Sequence, residues 1–232
     1  MGRRAFIVAI DGPAGAGKST ASKLLARRLG FVLVDTGAIY RCVALLAIRD
    51  KVALDDDAKL EPLLSGLNVS FAVVGDELRV TLGKENVSSI IRTPEVSMAA
   101  SKVSSRPAVR SGLLSLQRRL ALEAQHGAVL EGRDIGTVVF PDADLKFFLE
   151  ASPETRARRR YEELFQKGVD ISFDEVLADQ TKRDRDDSTR AIAPLKAAPD
   201  AIHLDSTEMP ISEVVQTMEK VIRNHLAREV GD

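Results

Sequence analysis

The chain has 232 residues, 44% hydrophobic and 29% charged, enough to bury a sizeable core in one large domain or a domain with inserts. Thirty-three Lys and Arg stand against 34 Asp and Glu, a formal net charge of −1. That balance argues against a general binder of nucleic acid or of membrane surfaces, which needs a basic excess.

Cys42 is the single cysteine, so no internal disulfide framework is possible; it reads as a helix core residue in a reducing cytoplasm. The apolar run from Ala5 to Ile10 is too short for a secretory signal and ends in Asp11. Met1-Gly2 resembles a myristoylation start, but Phe6 stands where Ser or Thr is needed. No stretch approaches the roughly 20 apolar residues of a membrane span. A soluble, cytoplasmic protein is expected, with no membrane and no nucleic-acid partner.

In chain order, Ala5–Ile10 predicts a strand buried on both faces. Lys18–Leu29 predicts a helix, with Ala21, Leu24, Leu25 and Arg28 marking its period and Gly30 its stop. Phe31–Val34 predicts a second buried strand, and 36–50 and 57–66 predict helices. Residues 67–96 alternate with period two around Gly75-Asp76, which predicts an antiparallel insert. Strands at Ala128–Leu130, Leu145–Leu149 and Ala201–Leu204 follow, with helices from Pro153 and over 211–227. Such alternation predicts a parallel sheet covered by helices. The stretch 151–190 stands apart, long, helical and rich in arginine.

Between the first strand and the first helix lies Gly12-Pro13-Ala14-Gly15-Ala16-Gly17-Lys18-Ser19-Thr20, which matches G-x-x-x-x-G-K-[ST]. Glycines let backbone amides wrap around phosphate, and the helix N-terminus adds unpaired N–H groups and positive dipole. Lys18 would reach the β- and γ-phosphates of a nucleoside triphosphate, and Ser19 would bind Mg²⁺. None of Asn68, Asn86 and Asn224 is followed by Lys, and no aspartate is followed three residues later by glycine, so a switch GTPase is not expected. A kinase of a small acceptor, or an ATPase doing mechanical or regulatory work, remains.

A kinase that joins two phosphorylated nucleotides must neutralise a second phosphate, and arginine's planar fork suits that task. Three clusters qualify. Asp35-Thr36-Gly37-Ala38-Ile39-Tyr40-Arg41 follows the second strand, and ligands in open α/β sheets bind at the carboxyl ends of strands. Alone, Arg41 reads equally well as an ordinary exposed helix arginine. Gly132-Arg133-Asp134-Ile135-Gly136 follows the strand ending at Glu131. Arg183, Asp187 and Arg190, spaced i, i+4, i+7, predict one helical stripe able to clamp a phosphate and take a sugar hydroxyl, although charge runs also occur as solvated faces. Arg156, Arg159 and Arg160 share a stripe likewise, on a candidate lid over ATP. Glu131 is the candidate acidic partner of Mg²⁺.

The strings GPAGAGKST, DTGAIYR, GRDIGTVVFP and RDxxDxxRxxAPL, in this order across nearly the whole chain, resemble bacterial-type cytidylate (CMP/dCMP) kinases. The resemblance implies a P-loop kinase core with a five-stranded parallel sheet, an antiparallel monophosphate-binding insert and a helical lid. It implies that Arg41, Arg133, Arg183 and Arg190 hold the acceptor phosphate, that Ser101, Arg110 and Asp134 read cytosine, and that Asp187 takes the sugar hydroxyls. Many members of that family carry further arginines between the positions of Arg183 and Arg190, where this chain has Asp186 and Ser188. The expected division is a core at 1–35, 110–150 and 191–232, a monophosphate-binding region at 36–109 and a lid at 151–190. The expected reaction is transfer from MgATP to CMP or dCMP by a monomer. A kinase of another small acceptor, or a regulatory ATPase, is the alternative.

Overall fold

The computed structural model of the chain describes residues 4–75, 77–166 and 168–231. Its elements in order are β1 (Phe6–Asp11), α1 (Lys18–Leu29), β2 (Val32–Asp35), α2 (Thr36–Arg49), α3 (Asp57–Ser65), β3 (Val69–Val74), β4 (Glu77–Leu82) and β5 (Glu85–Asn86). After a short 3₁₀ turn (Ile90–Arg92) come α4 (Pro94–Ser104), α5 (Pro107–Leu122), β6 (Gly127–Gly132) and a π-helical turn (Ile135–Val139). The chain then forms β7 (Leu145–Glu150), α6 (Pro153–Gln166), α7 (Phe173–Thr189), β8 (Ile202–Asp205) and α8 (Ile211–Gly231).

Five strands form one parallel sheet in the order β2-β6-β1-β7-β8. Every residue of β1 and β6 is buried, which explains why the sequence of β1 is a continuous apolar run rather than an alternating one. Ile7, Ile10, Leu130, Phe147 and Leu149 anchor the core, and α1 packs against α8 while α5 packs on β6 and β2. Register matters for function: Asp35 pairs with Glu131, and Asp11 pairs with Gly132. Three acidic residues thereby reach one carboxyl edge of the sheet.

The antiparallel insert is the three-stranded sheet β3-β4-β5. Its pairing ends at Asn86, short of residue 96, because Thr93 caps the amide of Val96 and Pro94 opens α4 at its first turn. Of the expected Gly75-Asp76 turn, Gly75 has φ 62°, as a tight hairpin requires, and Asp76 lies outside the described residues. The Met1-Gly2 start also lies outside them.

Residues 153–189 form two helices, α6 and α7, packed on each other around a small separate core of Ala157, Leu164 and Val176. Ser172 and Glu175 close a capping box at the start of α7. The helix stops at Thr189, so Arg190 does not share the helical stripe of Arg183 and Asp187, contrary to the sequence expectation. There Arg190 takes extended backbone at φ −61° and ψ 141°, and the carbonyl of Asp187 accepts from the amide of Leu195 at 2.8 Å instead of from a further helical turn. Among the described residues no helix is long and apolar enough to cross a membrane.

Candidate active site

The loop from Gly12 to Gly17 joins β1 to α1. Gly12 must be glycine: its φ is 147°, and a Cβ there would lie 2.0 Å from the backbone oxygen of Leu149. Gly17 precedes α1 in the left-handed region, with no side chain capping the helix and no acidic residue in its first turn. The first amides of α1 therefore stay open towards an anion, with the helix dipole behind them.

Lys18 is buried and donates from Nζ to the carbonyl of Pro13 at 2.6 Å. Burial, and then the charge of Arg133, pull its ammonium well below the usual lysine range, against the attraction of Glu131 and Asp11. Ser19 donates from Oγ to Oε2 of Glu131 at 2.8 Å, while Glu131 Oε1 is buried without a partner. Burial and the nearby Asp35 push the Glu131 carboxyl up to about 7. A hydroxyl beside a carboxylate with a spare oxygen is an all-oxygen set, which suits a hard ion that also takes phosphate ligands.

Facing the loop is a buried cluster of charge. Arg133 donates from Nε to Asp187 Oδ2 at 2.9 Å. Arg190 lies 3.7 Å from Asp187 and 3.6 Å from Asp134, and Arg110 hydrogen-bonds the other oxygen of Asp134. Burial alone would raise the Asp187 carboxyl, but Arg133, Arg183 and Arg190 hold it below the ordinary range. Burial and then Arg133 push the Arg183 guanidinium down to about 10, and burial and Arg110 lower that of Arg190. Four guanidinium groups surround two carboxylates, and Arg183 Nε and Arg190 Nη2 are buried without hydrogen-bond partners. Cations so crowded suit an anionic ligand.

Arg110 also lies over the ring of Tyr40, 5.5 Å from its centroid, and donates to the carbonyl of Ser104 at 2.9 Å. Against the cost of burial, Tyr40 and Asp134 hold the Arg110 guanidinium above its usual value. Gln117, fully buried on α5, hydrogen-bonds Tyr40. Arg41 sits at the rim, 3.8 Å from Asp35. Thr36 donates its hydroxyl to the carbonyl of Glu131 at 2.7 Å, tying the start of α2 to the end of β6. Ser101 lies on α4, one turn before the carbonyl that holds Arg110.

The helical pair rests on the phosphate loop. Arg156 is buried and donates to the carbonyls of Ala151 and Ala14 at 2.9 and 3.0 Å and to Asp184 at 2.6 Å. Arg159 reaches Ser206, donating to its hydroxyl at 3.1 Å and its carbonyl at 2.5 Å, while that hydroxyl donates to the carbonyl of Ala16 at 3.0 Å. Arg160, by contrast, pairs with Glu163 on its own helix.

Sequence reasoning missed Asp11, Gln117, Gln180, Asp184 and Ser206, all in contact with this site. Asp11 left one legible trace, a carboxylate ending an apolar strand. The others had none, because each meets a partner from a distant part of the chain.

A cradle open to phosphate, facing an excess of buried guanidinium across a sheet edge, defines the class: a P-loop phosphotransferase. Residues 8–224 match the family model described as cytidylate kinase, and the chain belongs to the cytidylate kinase family. It is 54% identical over 222 residues to the cytidylate kinase of Geobacter sulfurreducens, covering 96% of this chain and 94% of that protein. It is also 49% identical over 221 residues to the cytidylate kinase of Pasteurella multocida, covering 95% and 96%.

Proposed function

We propose that the protein transfers the γ-phosphoryl group of ATP to CMP or dCMP, giving ADP and CDP or dCDP. An oxygen of the acceptor phosphate attacks the γ-phosphorus in line as the bond to the β-phosphate oxygen breaks. The acceptor is already an anion, so no strong general base is needed. Catalysis then rests on positioning and on charge that is fixed before reaction. The observation that carries this reading is four buried or half-buried arginines gathered around two carboxylates, with N–H groups of Arg183 and Arg190 left without hydrogen-bond partners.

In this reading the amides from Gly12 to Thr20 and the ammonium of Lys18 hold ATP, with Arg156 and Arg159 closing over it. Arg41, Arg133, Arg183 and Arg190 hold the acceptor phosphate; Asp187 takes the sugar hydroxyls. Thr36, Tyr40, Ser101, Arg110 and Asp134 surround the base. Ser19 and Glu131 would hold Mg²⁺, whose chemistry is to neutralise charge on the β- and γ-phosphates. The spare oxygen of Glu131 supports that placement. Residues 36–109 would then serve as the monophosphate region and 151–190 as the lid on a core of 1–35, 110–150 and 191–232. A monomer is the working unit of this reading, and an ATP-consuming reaction suits the cytoplasm.

ADP formation measured with no acceptor, and with CMP, dCMP, UMP and AMP in turn, tests the reading. ADP is expected only when a cytidine monophosphate is added. Release at the same rate without any acceptor would overturn it in favour of an ATPase.

A further inference from the structure

Asp11 ends β1 and is followed directly by Gly12 of the phosphate loop. Its carboxylate is buried, yet it bonds neither that loop nor a cation. Oδ1 accepts from the amide of Ile135 and Oδ2 from the amide of Gly136, each at 2.8 Å. These are the first two amides of the π-helical turn, and no side chain of the turn itself caps them. Two successive amides aimed the same way form a small anion-binding nest, and here a neighbouring strand supplies the anion.

The residues immediately before those amides are Arg133 and Asp134. Asp134 turns sharply at φ −147° and ψ 26°, and its side chain enters the cluster with Arg110 and Arg190. The carboxylate thus fastens the loop that faces the acceptor to the strand that starts the ATP cradle. At Gly136 a Cβ would meet Asp11 Oδ2 at an ordinary 3.4 Å and crowd Cδ of Lys146 at 3.0 Å. Burial and the neighbouring Asp134 push the Asp11 carboxyl up to about 6, so retaining a carboxylate here costs stability. A clamp kept at such a cost between two ligand loops points to a task beyond holding the fold together.

We propose that Asp11 is a positioning residue: it sets the place of Arg133 and Asp134 against the phosphate loop, and so governs acceptor binding, base choice and transfer, but not ATP binding. This rests on the reading of the site as a cytidylate kinase.

Asp11→Ala removes both acceptors, and Asp11→Asn keeps the shape with one acceptor and a mismatched donor. Gly136→Ala crowds the loop beside the clamp, chiefly against Lys146, and leaves Asp11 intact. For each variant the measurements are the Kd of ATP, the KM of CMP, kcat and the ratio of kcat/KM for CMP over UMP. A displacement of about 1 Å in a positioned group costs on the order of a hundredfold. Asp11→Ala should therefore raise the KM of CMP at least about tenfold, lower kcat and narrow the CMP-to-UMP ratio. The Kd of ATP should stay within about threefold, with Asp11→Asn and Gly136→Ala in between.

If Asp11→Ala fails to fold, the two milder variants carry the same split. A lowered Tm with an unchanged KM and base ratio would make Asp11 merely structural and overturn the proposal. Equal losses of ATP and CMP binding would overturn it too, by assigning Asp11 to the phosphate loop. If the wild-type protein prefers another monophosphate, the split is measured with that acceptor, so a failure of the functional reading stays distinct from a failure of this one.

Discussion

Gln180 of α7 donates its side-chain amide to the carbonyl of Ala14 at 2.7 Å, and Arg156 of α6 donates to the same oxygen at 3.0 Å. A Cβ on Gly15 would lie 2.5 Å from that amide nitrogen, so the loop and the helical pair meet with nothing between them. One phosphate-loop carbonyl thereby holds both α6 and α7. Removing one such bond costs about 0.5–1.5 kcal/mol, which raises the open population several-fold. Gln180→Ala should make residues 151–190 more sensitive to limited proteolysis without nucleotide, with the core cleaved no faster. Equal cleavage rates in wild type and variant would show that the contact latches nothing.

Lys18 is held ready at a cost, since burial and Arg133 disfavour its charge. Lys18→Ala should reduce kcat by at least about a hundredfold through loss of a fixed cation at the transferring phosphate. Removing a disfavoured buried charge should leave Tm within a few degrees of wild type, with about 1 kcal/mol shifting Tm by roughly 2–4 °C in a chain of this size. Near-normal kcat with unchanged Tm would remove the phosphate-loop assignment.

Arg185 is exposed on α7, whereas Arg183 and Arg190 point into the charged cluster. Losing one charge-assisted phosphate contact costs about 1.5–3 kcal/mol, or roughly ten- to a hundredfold in kcat/KM. Arg183→Ala and Arg190→Ala should show that loss and Arg185→Ala should not. Equal losses at all three positions would reduce the run to a solvated surface.

The motif G-x-x-x-x-G-K-[ST] specifies its own backbone, so the strand, loop and first helix were legible together, down to Gly30 at φ 68° ending α1. Strand ends followed by charged residues located Arg133 and Asp134, because a parallel sheet delivers its carboxyl edge to the ligand. Arg190 was legible as a cluster member but not in its backbone: the chain leaves the helix at that residue, and ion pairs with Asp134 and Asp187 hold its side chain in the cluster. Gln180 and Ser206 were invisible, since a glutamine on an amphipathic helix and a serine after a strand carry no pattern until the chain brings Ala14 and Ala16 to them.

Burial and Asp35 push the Glu131 carboxyl up to about 7, so the folded chain keeps a proton that the unfolded chain has shed. Stability from this group therefore falls as pH rises from about 4.5 through about 7, and the loss is complete above that. Without nucleotide or metal, Tm of Glu131→Gln minus Tm of wild type should grow across that range. Asp11, raised to about 6, contributes a slope of the same sign to both proteins and cancels in the difference. A difference that stays flat with pH would mean Glu131 ionises normally in the fold.

Phosphorylation of a cytosine nucleotide at this site stands or falls on the choice of base. Cytosine offers an N4 amino donor beside an N3 acceptor, where uracil offers an O4 acceptor beside an N3–H donor. A carboxylate only accepts and a guanidinium only donates, so Asp134 and Arg110, a buried pair, would match cytosine and oppose uracil in the proposed role of base readers. Sites that leave buried polar groups unpaired discriminate strongly. The measurement is kcat/KM of the wild-type protein for CMP, dCMP and UMP, repeated with Arg110→Ala and Asp134→Ala. CMP and dCMP should exceed UMP by at least about a hundredfold, with the gap narrowed in both variants but kept in Arg41→Ala. Equal use of UMP and CMP by the wild-type protein would contradict it.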